Sequence, residues 1–268
     1  MKILLTGGNS VLGKEFVKCY RNMFDIVSPS QDAMDLLDIR SIEKVFSKHR
    51  FDAVLHLAGS DGDGQANSLV MFKNIQYIAT AHGVNKLIVV GDGAEYGRRP
   101  LVDVTEDMIG QVVPTDGYGL GRYLINSLAS KDKITTNLRL FDIYGGGART
   151  PINKIVAAAA KGKKNIVIDC DRVVSAVNAT DAVKVFAKFL QGNYPKGDYN
   201  LVPSDKMSYL QIAKTVKRMA KSDGHDIEIV VKHAGDEYSA VGDKLVSATN
   251  AKITTMAKGI KALYEELK

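Results

Sequence analysis

Five short runs of branched and aliphatic residues, each handing over to a stretch of helical period, fill the first 145 residues of the chain. Residues 2–6 (KILLT) stop at Gly7 and Gly8. Val11, Leu12, Phe16, Val17 and Tyr20 then recur at helical spacing. The runs at 25–29, 51–59, 86–93 and 135–145 read as further strands, with helices over 41–49, over 68–83 and from Tyr118 onward. Strands alternating with helices predict a parallel sheet covered on both faces, because a parallel connection needs a crossover long enough to hold a helix. The expected fold is α/β, a doubly wound parallel sheet of Rossmann type.

After Gly147 the pattern becomes mostly helical with small strands. Helices are expected over 151–162, 179–192, 208–224 and the C-terminal 253–268, and strands over 165–169 and 198–203. Ile253, Met256, Ile260, Leu263 and Tyr264 share one side of the last helix. The expected division is a dinucleotide-binding unit over 1–147 and a smaller lobe over 148–268, interleaved with the sheet edge.

Several function classes are disfavoured. The net charge is +6 and the lysines are scattered, which suits anionic ligands but lacks the basic stripe of a nucleic-acid binder. Cys19 and Cys170 are the only cysteines, and the five histidines form no HxxH pattern, so neither a disulfide framework nor a metal site is expected. No apolar run reaches the ~20 residues of a membrane span, and the N-terminal run enters a glycine turn unlike a signal peptide. A reducing cytoplasm is the expected compartment.

TGGNSVLG, at the first strand-to-helix junction, is placed where a dinucleotide fingerprint operates. Glycines there let backbone amides and a helix N-terminus approach a pyrophosphate. Ser10 stands where the middle glycine is expected, which is tolerable if its φ is negative. Further on, Tyr118 and Arg122 are four apart at a helix start. They share a face, where a guanidinium would favour the ionised phenol.

These segments occur in the order of a known family. ILLTGGNSVLG, DLLDIRSIEKVF, FDAVLHLAG, NKLIVVGDGAEYG, YGLGR, LRLFDIYG, YNLVPSDKMSYLQIA and KGIKALYEELK together resemble an extended short-chain dehydrogenase/reductase. The branch is that of the NAD(P)-dependent nucleotide-sugar epimerases, dehydratases and reductases, with DLLDIRSIEKVFSKHRFDAVLHLAG similar to GDP-fucose synthase. The resemblance implies a nucleotide-sugar substrate, a homodimer and an NAD or NADP cofactor. It places Gly7, Gly8, Asn9, Ser10, Val11, Leu12 and Gly13 at the cofactor phosphates, Asp38 at the adenine, and Leu57, Ala58 and Gly59 along the cofactor path. Ser28, Ser30 and Gln31 end the second strand with neither an acid nor a cation. That leaves NAD against NADP open, with a slight lean to NADP.

The family's catalytic set is a Tyr-x-x-x-Lys pair with a Ser or Thr at the end of the fourth strand. Position by position, the tyrosine is Tyr118, the lysine becomes Arg122 and the hydroxyl position becomes Asp92. Arginine keeps the charge in a bulkier planar fork, whereas a carboxylate would oppose Arg122 and raise the Tyr118 pKa. Asp92 is therefore either a working acid/base or substrate-positioning group, or a structural one bridged to Arg122. Arg139, Tyr144, Arg149 and Arg172 are candidate substrate contacts. The alternative to an enzyme is a catalytically impaired NAD(P)-binding homologue that acts as a regulatory or binding subunit.

Overall fold

The computed structural model describes residues 1–59, 65–97 and 99–268. In chain order its elements are β1 (Lys2–Thr6), α1 (Val11–Tyr20), β2 (Asp25–Val27), α2 (Ile39–Phe46), β3 (Ala53–His56), α3 (Gln65–Ala81) and β4 (Leu87–Asp92). A 3₁₀ turn, Gly93–Tyr96, follows, then β5 (Leu101–Val104), α4 (Gly117–Ala129), β6 (Thr135–Leu140) and β7 (Ile143–Tyr144). The second half contains α5 (Pro151–Ala160), β8 (Asn165–Val174), β9 (Val177–Asn178), α6 (Ala179–Gln191), β10 (Gly197–Asn200) and β11 (Met207–Ser208). It ends with α7 (Tyr209–Ser222), β12 (Glu228–Ala240), α8 (Asp243–Thr249) and α9 (Met256–Leu267).

The main sheet is parallel throughout, in the order β10-β6-β4-β3-β1-β2. Period-two alternation divides its side chains between two cores. Ile3, Leu5, Ile88 and Leu138 pack with Phe16 of α1 and Phe186 of α6. Leu4, Val54, Leu87 and Val89 pack with Ile42 of α2, Phe72 of α3 and Ile125 of α4. The expected Rossmann architecture is therefore present. Strand order reverses at β1, which has β2 on one side and β3 on the other, so a crevice opens at its carboxyl end.

The chain crosses between its halves more than once. A third core joins α5, α7 and α9 to a second sheet, β11-β8-β12-β5. Yet α6 covers the main sheet and β10 extends it beside β6. The last helix buries Met256, Ile260, Leu263 and Tyr264 as its spacing predicts.

Two segments differ from the sequence reading. The run 135–145 is not one strand: β6 ends at Leu140, and β7 pairs instead with β9. Between them the Asp142 carboxylate accepts from the following amide, Ile143 N, at 2.8 Å, which turns the chain out of the ladder. The longest strand, β12, has no counterpart in the sequence reading. Its polar VKHAGDEYSA stretch lacks a period-two signal because much of it is exposed and its register shifts between Ala234 and Glu237. Among the described residues, no helix is long and apolar enough to cross a membrane.

Candidate active site

At the carboxyl end of β1, Gly7 has φ +71°, and a Cβ there would fall 2.6 Å from Ala58 N and from Leu57 C. Gly13 is as constrained, since its Cβ would lie 2.4 Å from Gly7 O. Both positions need the absence of a side chain for α1 to pack onto the turn. Ser10 adopts φ −66°, so it carries no penalty, and its hydroxyl caps α1 by accepting from Gly13 N at 3.1 Å. A cleft adjoins this helix start, the end of a helix that favours anions.

That cleft is a cavity of about 440 Å³. Gly7, Gly8, Asn9 and Ser10 line it, as do Ser28, Leu57, Ala58 and Gly59. Val11, Leu12 and Gly13 stand behind the lining, Leu12 against the core between α1 and α6. Gly8 is held open by Ser28, whose Oγ would lie 2.2 Å from a Cβ at that glycine. Asp38 is displaced from its expected role: its carboxylate caps α2 by accepting from Arg40 N at 2.9 Å, while Asp35 and Leu36 line the cavity. The DLLD spacing offers two aspartates, and the one followed by a helical run is the better N-cap. The turn, the helix amides and the elongated cleft fit a dinucleotide.

Tyr118 sits in the first turn of α4, which Asp116 caps by accepting from Gly119 N at 2.8 Å. Gly119 lets α4 press against the 3₁₀ turn, since a Cβ there would meet Pro114 and Ala94 O at 2.9 and 3.0 Å. This approach brings Asp92, at the end of β4, to the Tyr118 phenol. Burial pushes that phenol up to about 12, the Asp92 carboxylate pushes it the same way, and Arg122 pulls it down. The Arg122 guanidinium lies 5.4 Å from the Tyr118 ring centre and reaches the edge of Gly59, 3.5 Å from where a Cβ would stand. Its Nε is buried with no hydrogen-bond partner among the described residues. Below it lies His56, held near pKa 4 by burial and by the Arg122 charge, with Nδ1 2.8 Å from Thr6 Oγ1. Arg122 thus spans from Tyr118 to the cavity wall rather than closing an ion pair with Asp92.

The other expected contacts separate. Arg139 is fully buried: its Nε donates to Glu95 Oε2 at 2.7 Å and its Nη2 to Asp198 Oδ2 at 2.9 Å. It ties β6 to the 3₁₀ turn and to β10, and has no access to a ligand. Tyr144 is equally buried, packed where Gly259 of α9 leaves room. Arg149 is exposed beside the Thr150 cap of α5. Arg172 is half-buried near Asp142 and Tyr209, its Nε without a partner among the described residues.

Three residues absent from the sequence reading complete this side of the site. Tyr238 of β12 donates to Asp92 Oδ1 at 2.9 Å, beneath the Arg99 guanidinium. Tyr209, at the start of α7, donates to Asp142 Oδ2 at 3.4 Å. Burial pushes Asp142 up to about 6, and the nearby Asp92 charge adds to this. Asp92 ends β4 and Asp142 follows the end of the adjacent β6, while the phenols come from the other half of the chain. Only folding unites them.

A glycine turn lies at the switch point of a parallel sheet, and Arg122 extends from Tyr118 to the cavity wall at Gly59, an arrangement in accord with an extended short-chain dehydrogenase/reductase. Residues 3–201 match the NAD dependent epimerase/dehydratase family, and the chain belongs to it. GDP-L-colitose synthase of Yersinia pseudotuberculosis is 29% identical over 136 residues, 46% of this chain and 44% of that protein. UDP-glucose 4-epimerase of Corynebacterium glutamicum is 26% identical over 235 residues, 75% of this chain and 70% of the other. Among solved structures, GDP-mannoheptose C4 reductase from Campylobacter jejuni, with NADP bound, superposes with TM-score 0.83 at 18% identity, covering 99% of this chain and 97% of that one. A GDP-L-fucose synthetase from Naegleria fowleri bound to NADP gives 0.81 at 19% identity, covering 98% and 91%. These two likenesses are of fold.

Proposed function

We propose that the chain is an NAD(P)-dependent enzyme that modifies a nucleotide-linked sugar by hydride transfer, with Tyr118 as acid/base. The observation that carries this reading is the placement of Tyr118 between Asp92 and Arg122, with Arg122 continuing to the cavity wall at Gly59. The cofactor supplies or accepts the hydride. Gly7, Gly8, Asn9 and Ser10 hold its phosphates, and Leu57, Ala58 and Gly59 border its path. Arg122 donates to the ribose hydroxyls and offsets charge on the Tyr118 oxygen. Tyr118 exchanges a proton with the sugar oxygen, and Asp92 orients that exchange. Arg172 and Arg149 offer cations to the diphosphate. The neutral Ser28, Ser30 and Gln31 accept NAD or NADP, with a lean to NADP. The names of the curated relatives support a nucleotide sugar as the substrate class. A homodimer through α3 and α4 suits the exposed Val70, Tyr77, Leu120 and Leu124 on those helices.

Fluorescence titration with NADH and NADPH, followed by turnover on a panel of GDP-, UDP- and dTDP-linked sugars, tests this reading. No binding of either cofactor at millimolar concentration would overturn it. A second reading, a cofactor-binding homologue without turnover, is favoured by one feature: the Tyr118 phenol is pushed up rather than down. Bound cofactor with no turnover on the whole panel selects it.

A further inference from the structure

The second sheet has an open edge along β12. One side of this strand pairs with β8 from Glu228 to Tyr238, but on the other side β5 meets it only at Tyr238 and Ala240. Among the described residues, no strand pairs with that side of β12 before Tyr238. Glu228 N donates to Lys164 O at 2.8 Å, which fixes the phase of the ladder to β8. A parallel ladder bonds through alternate residues, so Ile229 and Val231 turn their N–H and C=O groups outward. Exposed edges are ordinarily blunted by proline, by a bulge, by charge or by cover. Residues 228–233 contain no proline, and the register shift comes only after Ala234. Their single lysine, Lys232, is drawn over β8 by Asp169 at 2.7 Å. Val230 and Val231 are 38% and 39% exposed, and Val167, beside Val230 on β8, is 50% exposed. Unpaired backbone groups flanked by apolar side chains form a template for another strand.

We propose that the strand this edge receives is β12 of a second copy of the chain, paired antiparallel about a two-fold axis at Val230. Two constraints select that register. The hydrogen-bonded pairs of an antiparallel ladder must join outward-turned residues, which limits them to Ile229, Val231 and their odd-numbered neighbours. Of the registers left, the one that sets Ile229 opposite the partner's Val231 also sets Glu228 opposite the partner's Lys232, twice by symmetry. The neighbouring allowed registers set Val230 against Glu228 or against Lys232 instead. In the selected register Val230 meets its own counterpart at the axis. With Val167 of each copy the two valines form an apolar stripe across the outer face of a continuous β8-β12-β12-β8 sheet. On the inner face Ile229 packs against the core of α5, α7 and α9, and the partner's Ile229 covers Val231. Lys232 keeps Asp169 and gains a second carboxylate. About four central backbone hydrogen bonds form, an interface small enough to associate in the micromolar range. The contact uses the second sheet, whereas a dimer through α3 and α4 would use the first, so either exists without the other.

Val231→Pro removes an outward N–H and leaves the ladder to β8 intact, so it blocks the edge while keeping the sheet. In sedimentation of the full chain from about 1 to about 200 μM, the wild type should reach at least about twice the mass of this variant at the upper limit. Equal masses over the whole range overturn the proposal. Disulfide trapping reads the register in a chain carrying Cys19→Ser and Cys170→Ser, which removes both exposed thiols. With oxidised glutathione as oxidant, Val230→Cys should link into a dimer, because directly opposed residues have Cβ atoms about 4.5–5.5 Å apart. Val167→Cys, about 14 Å from its counterpart across three strand spacings, should not link. A Val230→Cys chain that stays unlinked, or a Val167→Cys chain that links as readily, overturns the proposal. Glu228→Lys and Lys232→Glu should each weaken self-association at least about fivefold, and an equimolar mixture of the two should recover it, since each strand then meets the opposite charge. No recovery in the mixture overturns the pairing. None of these readouts needs turnover, so they stand apart from a failure of the proposed function.

Discussion

Glu95 and Arg139 form an ion pair at 2.7 Å in which neither side chain is exposed beyond 1%, directly behind the residue that faces Tyr118. Glu95 Oε1 holds the Asp92 amide, while Arg139 is also held by Asp198 and Asn200 of the β10 edge. The pair therefore links the position of Asp92 to the joint between β6 and β10. Removing one partner leaves the other charge buried. Glu95→Ala should lower the unfolding free energy by about 3–5 kcal/mol, measured by denaturant titration. Combining Glu95→Ala with Arg139→Met in one chain should recover part of that loss, and full additivity would show that the pair is not coupled.

The glycine turn has a sharper requirement. Gly13→Ala would place a methyl 2.4 Å from Gly7 O, with backbone rather than a flexible side chain as its neighbour. The turn must open, and NADPH affinity should fall by at least about tenfold in a fluorescence titration. Ser10→Gly removes the hydroxyl cap of α1 but preserves the turn. It should cost only a few tenths of a kcal/mol and leave affinity within about twofold.

Under the proposed function, in which the phenol exchanges the proton and Arg122 holds the ribose, Tyr118→Phe should reduce turnover about 10²–10⁴-fold while the cofactor Kd changes little. Unchanged turnover would remove Tyr118 from the chemistry. Arg122→Lys retains the charge without the fork, so activity should be retained if charge alone matters.

Two buried groups make opposing contributions to acid stability. His56 falls from 6.5 to about 4 on folding, so its contribution is present above pH 6.5 and is lost as pH falls toward 4. Asp142 rises from 3.8 to about 6, so its contribution is present below pH 3.8 and is lost as pH rises toward 6. Each spans about 3 kcal/mol, and over pH 4–6 the two slopes oppose. Relative to wild type, His56→Gln should gain stability as pH falls through that window, and Asp142→Asn should lose it. Chemical denaturation at pH 4.5 and 6.5 reads both, and slopes of the same sign would refute the assignment.

The strand-to-glycine-to-helix junction, the parallel sheet and the Tyr118/Arg122 pair are legible in the chain because each is local. Helical and strand periods report nearby packing, and a four-residue spacing on a helix implies a shared face whatever surrounds it. Asp38 is misplaced by sequence alone because both aspartates of DLLD fit the local pattern, and only the third dimension separates the helix cap from the cavity wall. Arg139 and Tyr144 lie in a strand-end segment that resembles a ligand edge, yet their side chains turn into the interior, where Glu95, Asp198 and Gly259 receive them. β12 escapes notice because its polar face lies in solvent and its pairing with β8 is non-local.

By itself, then, the sequence determined the sheet, the glycine turn and the pairing of Tyr118 with Arg122, all of which depend on neighbours a few residues away. Only the tertiary structure decided what surrounds Asp92. Its partners Tyr238 and Tyr118 lie 146 and 26 positions further along the chain, and the first is brought in by the second sheet. A carboxylate's effect on a phenol depends on distance, burial and competing donors. None of these exists until the chain has folded.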